Sequence, residues 1–403
     1  MSRKCFFVFI FSFFLFFCLS EPLLAQPVLS GNGAVLLDTQ SGQVLFAKNK
    51  DEKLPPASIT KILTALIAIE SGKLDNIVMV GANPPLLEGT RVYLEEGEKV
   101  KLRNLVLASL VYSANDAALA IAEYLGGTEE KFTEIMNKKA RELGAVNSNF
   151  VNAHGLTAKE HYTTAYDIAV ITRYAMNNVT FREIVKTKVV DWQGQAWQTR
   201  LINKNEMLWS YEGADGVKTG YTTEAKCTIV ASATRQGQSY LAVVLGSQGK
   251  ETWADAQKLL DYGFKNYQTV QLARPEEVIA TLDFDSKKKL QLVAERGFSL
   301  SLLQTGSKKV ESRLSLQPLG RYIAKGQVVG EMIYAVNGKD VGAVNLVAKE
   351  QVKVWRLFDL FLYSLAGLYL LQILWRVGQR WWKRRRGRNM FTSARSRRYY
   401  RES

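Results

Sequence analysis

The chain has 403 residues, 47% of them hydrophobic, with a formal net charge of +15 and a pI near 9.5. That length can bury real cores in two or three domains, which excludes a disordered or low-complexity protein. The basic balance raises nucleic acid or an anionic membrane as a partner, but from Arg376 onward eleven Lys or Arg stand against one Glu, so about two-thirds of the excess charge sits in one appendage and a basic groove over the folded body is excluded.

At the N-terminus Arg3 and Lys4 precede the apolar run "FFVFIFSFFLFFCL", and Pro22 with "LLA" leads up to Gln26. This is the layout of a secretory signal over residues 1–25, cleaved after Ala25, because the run is shorter than the ~20 residues of a span. An uncleaved anchor is the alternative reading. Either way the body is expected to be exported. Cys5 and Cys18 fall inside the leader, and Cys18 lacks the small residues that should precede a lipidated cysteine. Cys227 is left as the one cysteine of the mature chain, so no intramolecular disulfide can form. In "AKCTIVASA" it reads as a small buried strand residue rather than a nucleophile.

"GAVLLDTQSGQVLFAKN" alternates and turns at Thr39 to Gly42, predicting a hairpin of Ala34 to Asp38 with Gln43 to Lys48. Next comes "PPASITKILTALIAIESGK", an unusually apolar helix from Ser58 to Ser71, stopped near Gly72. Pro55 and Pro56 forbid helix before it, so Ser58 falls near the first turn, where free backbone N–H groups and the helix dipole favour developing negative charge. Lys61 shares its face at i+3. Burial in an apolar bundle should lower the lysine pKa, and the neutral amine could take the serine proton. Alone, S-x-x-K is equally an N-cap serine with a snorkelling lysine.

Helical periodicity continues over Arg103 to Val111, Asp116 to Leu125, Glu129 to Leu143 and Thr164 to Met176. Ser113-Ala114-Asn115 lies in the break before the second of these, where Ser113 could simply cap. Lys218-Thr219-Gly220 in "GADGVKTGYTT" enters a strand and could be a plain strand start. "KCTIVASATRQGQSYLAVVLGS" supplies two strands around a Gln236-Gly237 turn, followed by a helix from Thr252 to Tyr262. A sheet begun by the first hairpin and completed two hundred residues later implies a helical insertion.

From Val270 to about Lys349 short strands and turns predict a small all-β module, with Asn337-Gly338 as a hairpin signal. "LFDLFLYSLAGLYLLQILW", Leu357 to Trp375, is then long and apolar enough to span a membrane. Trp355, Trp375, Trp381 and Trp382 bracket it at interface depth, and the cationic flank favours the cytoplasm. Asp359 and Gln372 leave an interfacial helix as the alternative. The tail reads as a topology-setting charge cluster or as a site for anionic lipid or a cytoplasmic partner.

Jointly, and in this order, S-x-x-K, S-A-N and K-T-G resemble the motif set of the low-molecular-mass penicillin-binding proteins, in particular the serine-type D-alanyl-D-alanine carboxypeptidases. The similarity extends over roughly Gln26 to Lys349, through "EGTRVYLEEGEKVKLRNLVLASLVYSANDAA", "FVNAHGL", "HYTTAYDIAVITRYAM" and the closing "GQVVGEMIYAVNGKDVGAVNLVA". It implies a penicillin-binding/β-lactamase-like fold of the α/β (α+β) type: an antiparallel sheet with a helical insertion, then a small all-β domain and a C-terminal membrane helix. The expected domains are 26–268 (catalytic), 269–350 (β-rich), 355–376 (membrane helix) and 377–403 (basic cytoplasmic tail).

The resemblance also implies roles. Ser58 attacks the carbonyl between the terminal D-alanines of a peptidoglycan stem peptide, Lys61 accepts its proton, and Ser113 relays a proton to the leaving D-alanine. Asn115 binds the substrate amide, while Lys218 and Thr219 hold the terminal carboxylate. Gly220 and Tyr221 complete the strand, with the Ser58 and Tyr221 N–H groups as oxyanion hole. β-Lactam antibiotics are implied as acylating inhibitors. No cofactor and no metal is expected, since His154 and His161 are the only histidines. His154 either shapes the cleft or is a satisfied loop residue, and Asp167 either buttresses that loop or is a surface carboxylate. "GSQGKETW" lacks the arginine that some relatives carry there, leaving Lys250 as a substitute or a solvated side chain. A β-lactamase would need a placed base, for which Glu160 has no fitting context, and a catalytically silent scaffold would have no reason to keep all six motif residues. The expected location is the extracytoplasmic face of a bacterial membrane, trimming wall stems, with no nucleic-acid partner.

Overall fold

The structure, a computed structural model, describes residues 25–285, 288–305, 309–353 and 357–396. The expected signal sequence up to residue 24, Trp355 and the end of the basic tail lie outside the described residues. The chain divides into two compact units, one comprising residues up to Leu272 together with Phe298–Lys309, the other Ala273–Gly297 and residues from Val310 on.

The first unit is organised by a five-stranded sheet in the order Val44–Lys48, Gly33–Asp38, Gln238–Ser247, Lys226–Arg235, Ala214–Thr222. Every neighbouring pair is antiparallel, and Leu36 stands opposite Ala242, so the N-terminal hairpin does join strands some two hundred residues away. Side chains on successive strand residues point to opposite faces. Val35, Leu37, Val243 and Leu245 accordingly enter the large helical core, while Ala34, Leu36, Ala242 and Val244 pack toward the helix Glu251–Asn266. Both faces are covered, which is why Gly33–Asp38 is buried throughout.

The insertion supplies the helical layer. Helix Lys61–Glu70 is apolar nearly all round because helices enclose it, and it ends at Ser71 before Gly72 at φ +70°. Ser58 itself sits one step earlier, in a 3-10 turn Ala57–Thr60. Helices Leu102–Leu107, Asn115–Gly126, Glu129–Glu142 and Ala165–Ala175 follow the predicted pattern within a few residues. Between Met176 and Lys226 the periodicity was too weak to assign elements other than the strand carrying Lys218. There the structure has helix Val179–Lys186, the hairpin Val189–Gln193 with Gln198–Ile202, and a single turn Met207–Ser210.

In the second unit a five-stranded sheet runs Val278–Asp285, Lys288–Ala294, Lys339–Ala348, Val328–Val336, Val310–Leu316. Asn337 and Gly338 both adopt positive φ, +50° and +80°, the two-residue turn that matches the twist of the flanking strands. Strand Phe298–Leu303, expected in this module, instead pairs with Tyr267–Ala273. Polar bonds fasten it: the Ser301 and Thr269 hydroxyls both donate to the buried Asp38 carboxylate, and the Ser301 N–H donates to Gln43 Oε1 at 3.2 Å.

Helix Leu357–Ser396 holds Phe361–Trp382, 22 residues that are long and apolar enough to cross a membrane. It is the one such helix among the described residues.

Candidate active site

The turn that carries Ser58 is held in a conformation a relaxed chain avoids. Ala57, buried and at φ +50°, is a non-glycine residue in the left-handed region, which persists only when its surroundings over-determine it. The surroundings are identifiable. Thr228 Oγ1 donates to Pro56 O at 3.0 Å, and Thr60 Oγ1 donates to Ala57 O at 2.9 Å. Gly155 lies so close that a Cβ on it would stand 1.9 Å from Ala57 O, and a Cβ on Gly220 would stand 2.6 Å from Ser58 N.

Lys61 is fully buried one turn on, and its Nζ lies 2.9 Å from Ser58 Oγ, 2.7 Å from Asn115 Oδ1 and 2.5 Å from His154 O. Burial, and after it the charge of Lys218, lower its pKa well below the ordinary lysine value, against an opposing pull from Asp116. A neutral amine has two hydrogens and one lone pair. The amide oxygen of Asn115 and the carbonyl of His154 can only accept, so they take the hydrogens. In the neutral form the lone pair would face the Ser58 hydroxyl, the one of these three neighbours able to donate.

Ser113 ends a π-helical turn, Ala108–Tyr112, and stands at φ +73°. Such turns concentrate where side chains must be re-aimed, and here the kink turns Ser113 toward the groove before helix Asn115–Gly126 begins. Asn115 is anchored by donating from Nδ2 to Glu88 O at 2.7 Å. The next residue, Asp116, was not singled out from the sequence, because an acid in a first helical turn looks like an ordinary dipole partner. It is completely buried and accepts the N–H groups of Val92, Leu94 and Ala117. Burial raises its pKa while those bonds lower it.

Lys218, Thr219 and Gly220 lie in the middle of the edge strand Ala214–Thr222, beyond a bulge between Ala214 and Gly216 and a strained Val217 at φ +97°. Lys218 is buried and donates to Thr219 O at 2.8 Å. Burial and then the charge of Lys204 bring its pKa down to about 7. Lys204 was another omission: nothing in "NKNE" marks it, yet it lines the same groove. That groove, of about 390 Å³, is walled by Ser58, Ser113, Lys204, Thr219 and Gly220, with the exposed ring of Tyr221 at its edge. Cys227 also lines it and is half-buried, a correction to its expected burial. Lys250 is exposed at the start of helix Glu251–Asn266.

His154 contributes its carbonyl rather than its ring. The imidazole accepts the Leu156 N–H at Nδ1 and turns Nε2 to Glu129, 3.4 Å away; burial, then Lys61, holds its pKa at about 3. His161, which sequence reasoning left without a role, accepts the Val151 N–H at Nδ1. Its Nε2–H is thereby fixed as donor to Thr60 Oγ1 at 2.9 Å, tying the loop to the Ser58 turn. Asp167 is buried, not a surface carboxylate: it accepts Asn147 N–H and Ser148 Oγ–H at 2.7 and 2.8 Å and so holds the start of that loop. Glu160 is exposed on a turn at φ +63° and does not line the groove.

A serine hydroxyl beside a desolvated amine, a second buried lysine and a groove that Ser58 and Thr219 line suit acyl transfer to a carboxylate-bearing substrate. Known proteins share this arrangement of chain. Residues 22–249 match the family described as D-alanyl-D-alanine carboxypeptidase, and residues 267–354 match the penicillin-binding protein 5 C-terminal domain. D-alanyl-D-alanine carboxypeptidase DacF of Bacillus subtilis is 33% identical over 332 residues, 79% of this chain and 85% of that protein. DacC of Escherichia coli is 32% identical, covering 83% of this chain and 87% of that protein. The crystal structure of penicillin binding protein 5 from Haemophilus influenzae superposes with a TM-score of 0.74 at 29% identity, over 82% of this chain and 100% of that one. With more than half its length in the family match and a third of the aligned residues identical to a curated relative along most of both chains, this chain belongs to the D-alanyl-D-alanine carboxypeptidase family.

Proposed function

We propose that the chain is a serine-type D-alanyl-D-alanine carboxypeptidase that removes the terminal D-alanine from peptidoglycan pentapeptide stems and is acylated by penicillins. The observation that carries this reading is the buried Lys61 Nζ, 2.9 Å from Ser58 Oγ and within hydrogen-bond distance of two groups that can only accept, Asn115 Oδ1 and His154 O. Ser58 Oγ attacks the carbonyl of the penultimate D-alanine as its proton passes to Lys61 Nζ. The oxyanion forms between the N–H groups of Ser58 and Tyr221, which stabilise the charge as it develops. Ser113 relays that proton from Lys61 to the departing amine, D-alanine leaves, and water then cleaves the Ser58 ester. Lys218 and Thr219 take the substrate carboxylate, Asn115 its amide, and Gly220 keeps the strand close enough to reach. His154 positions Lys61 through its carbonyl, and Asp167 supports the loop that delivers it.

Cleavage of the leader after residue 25 and a membrane-spanning Phe361–Trp382 would place both folded units outside the cell membrane and the cationic tail inside. A catalytic domain over 26–268 and a β-rich domain over 269–350 fit this arrangement. Trimming stems removes the donors of crosslinking, so wall crosslinking is the output.

The test is intact-mass analysis of the full chain in detergent after benzylpenicillin, beside Ser58→Ala, with D-alanine release from a pentapeptide stem measured in parallel. One penicilloyl adduct on wild type alone, with D-alanine release, is expected. Rapid loss of the adduct without D-alanine would make the protein a β-lactamase, and no adduct would leave a scaffold.

A further inference from the structure

Beside the groove lies a second one that the proposed chemistry does not use. Tyr112, Trp197 and Trp209 line it, its volume is about 540 Å³, and Lys204 lines both. Continuity is also covalent, since Tyr112, which lines the second groove, precedes Ser113, which walls the first.

The aromatic wall is built at a cost. Tyr93 stands at φ +56°, a true outlier for a bulky residue, and its ring is 51% exposed. The Asp116 carboxylate holds the N–H groups of Val92 and Leu94, on either side of it, so the strain is imposed by a buried charge. The ring then meets Trp197 edge-to-face with centroids 5.3 Å apart, and Trp197 in turn contacts Tyr112 at 5.9 Å. Trp197 sits just before the second strand of the hairpin Val189–Gln193 with Gln198–Ile202, whose turn is tied down where Gln195 N–H donates to Glu98 Oε1. Trp209 is 48% exposed. Strain of this kind clusters at ligand clamps.

We infer that this aromatic groove binds the N-acetylated sugar of the glycan strand to which the stem is attached. The inference rests on the carboxypeptidase reading. A sugar ring presents an apolar C–H face between hydroxyl edges, and an aromatic ring with polar groups around it is its complement; here Lys204 lies 4.6 Å over Tyr112 and Lys188 5.7 Å over Trp209, so these ammonium groups share the ring faces and supply donors for the hydroxyls. The four residues from the scissile bond to the stem's attachment point span on the order of 14 Å when extended, so a sugar site must lie near the cleft, as this groove does.

The test uses the full chain in detergent and compares D-alanine release from a disaccharide-linked pentapeptide with release from the same peptide carrying only an N-acetyl group. Wild type should favour the sugar-linked substrate about tenfold in kcat/KM, a difference of about 1.4 kcal/mol. Trp209→Ala, and Trp197→Ala if its benzylpenicillin adduct shows it folded, should bring that ratio toward one. The disaccharide without peptide should alter the tryptophan fluorescence of wild type. Equal kcat/KM for both substrates in wild type, with no fluorescence change, would overturn the sugar subsite and leave the carboxypeptidase intact. Equal losses on both substrates in Trp209→Ala would also overturn it, by assigning the groove to peptide. Failure to release D-alanine from either substrate would sink the carboxypeptidase reading instead, and the disaccharide titration would then decide the subsite alone.

Discussion

Replacing Asp116 by asparagine should make the protein less stable and yet able to acylate at lower pH. The carboxylate accepts Val92 N–H at 3.2 and 3.0 Å through its two oxygens, Leu94 N–H at 3.2 Å through Oδ2 and Ala117 N–H at 2.8 Å through Oδ1. An asparagine keeps one acceptor, and its NH₂ must then face the N–H of Leu94 or of Ala117. A stranded buried donor costs about 1–3 kcal/mol, and the bonds that remain lose their ionic partner, about 1 kcal/mol more, so the loss should be about 2–4 kcal/mol. Lys61 responds in the other direction. Asp116 is the group that raises its pKa against burial and Lys218, so removing the charge lets that pKa fall further. If Lys61 must be neutral to take the Ser58 proton, the acid limb of the acylation rate follows its folded-state pKa and moves to lower pH. Labelling by a fluorescent penicillin after incubation in urea reads the first unit alone, which matters because a chain of two units need not unfold in one transition. The same label, followed in time across pH, gives the limb. An unchanged urea midpoint would refute the hydrogen-bond accounting, and an acid limb that stays or rises would refute the role of Asp116 as a counter-charge to Lys61.

Gly155→Ala should cut acylation at least a hundredfold, since the new Cβ would stand 1.9 Å from Ala57 O in a backbone position of φ +85° that disfavours any side chain; rates within a few fold of wild type would show that the Ser58 turn tolerates displacement. Lys218, at about 7, is a cation below that pH and neutral above it, so kcat/KM on carboxylate-bearing substrates should fall as pH rises through about 7. Lys204→Met removes the charge that depresses it and should carry this limb upward, whereas a limb that moves down would contradict the assignment. His161, held at about 4 by burial against 6.5 unfolded, binds fewer protons in the native state over that interval. Its contribution is complete above pH 6.5 and is lost as pH falls to about 4, a difference of about 3 kcal/mol. His161→Gln should flatten the acid decline of the urea midpoint, and an unaltered decline would assign it elsewhere.

Much of this protein was legible without coordinates because it is written locally. Pro55-Pro56 before Ser58, the Gly72 stop and the Asn337-Gly338 turn all act on backbone torsions within a few residues, and each does what its chemistry dictates. The spacing of Ser58 and Lys61, and the tripeptides at Ser113 and Lys218, could therefore be read directly. The helices and hairpin between Val179 and Ser210 could not, since their half-buried faces show little periodicity, and neither could the return of Phe298–Leu303 to the first unit, which depends on a buried Asp38 far away in sequence. The site shows the same division. Which lysine stands near which serine is a matter of helical spacing, but what lowers the Lys61 pKa and holds its amine is the sum of burial, fields and acceptors from residues 115, 116, 154 and 218, dozens of positions away. Residue type and short-range spacing thus determined the candidate reacting groups. Their protonation, the use of a His154 carbonyl in place of its ring, and the presence of Lys204 and an aromatic wall were decided only by tertiary structure, because desolvation and hydrogen-bond direction depend on what folding packs around a group rather than on its neighbours along the chain.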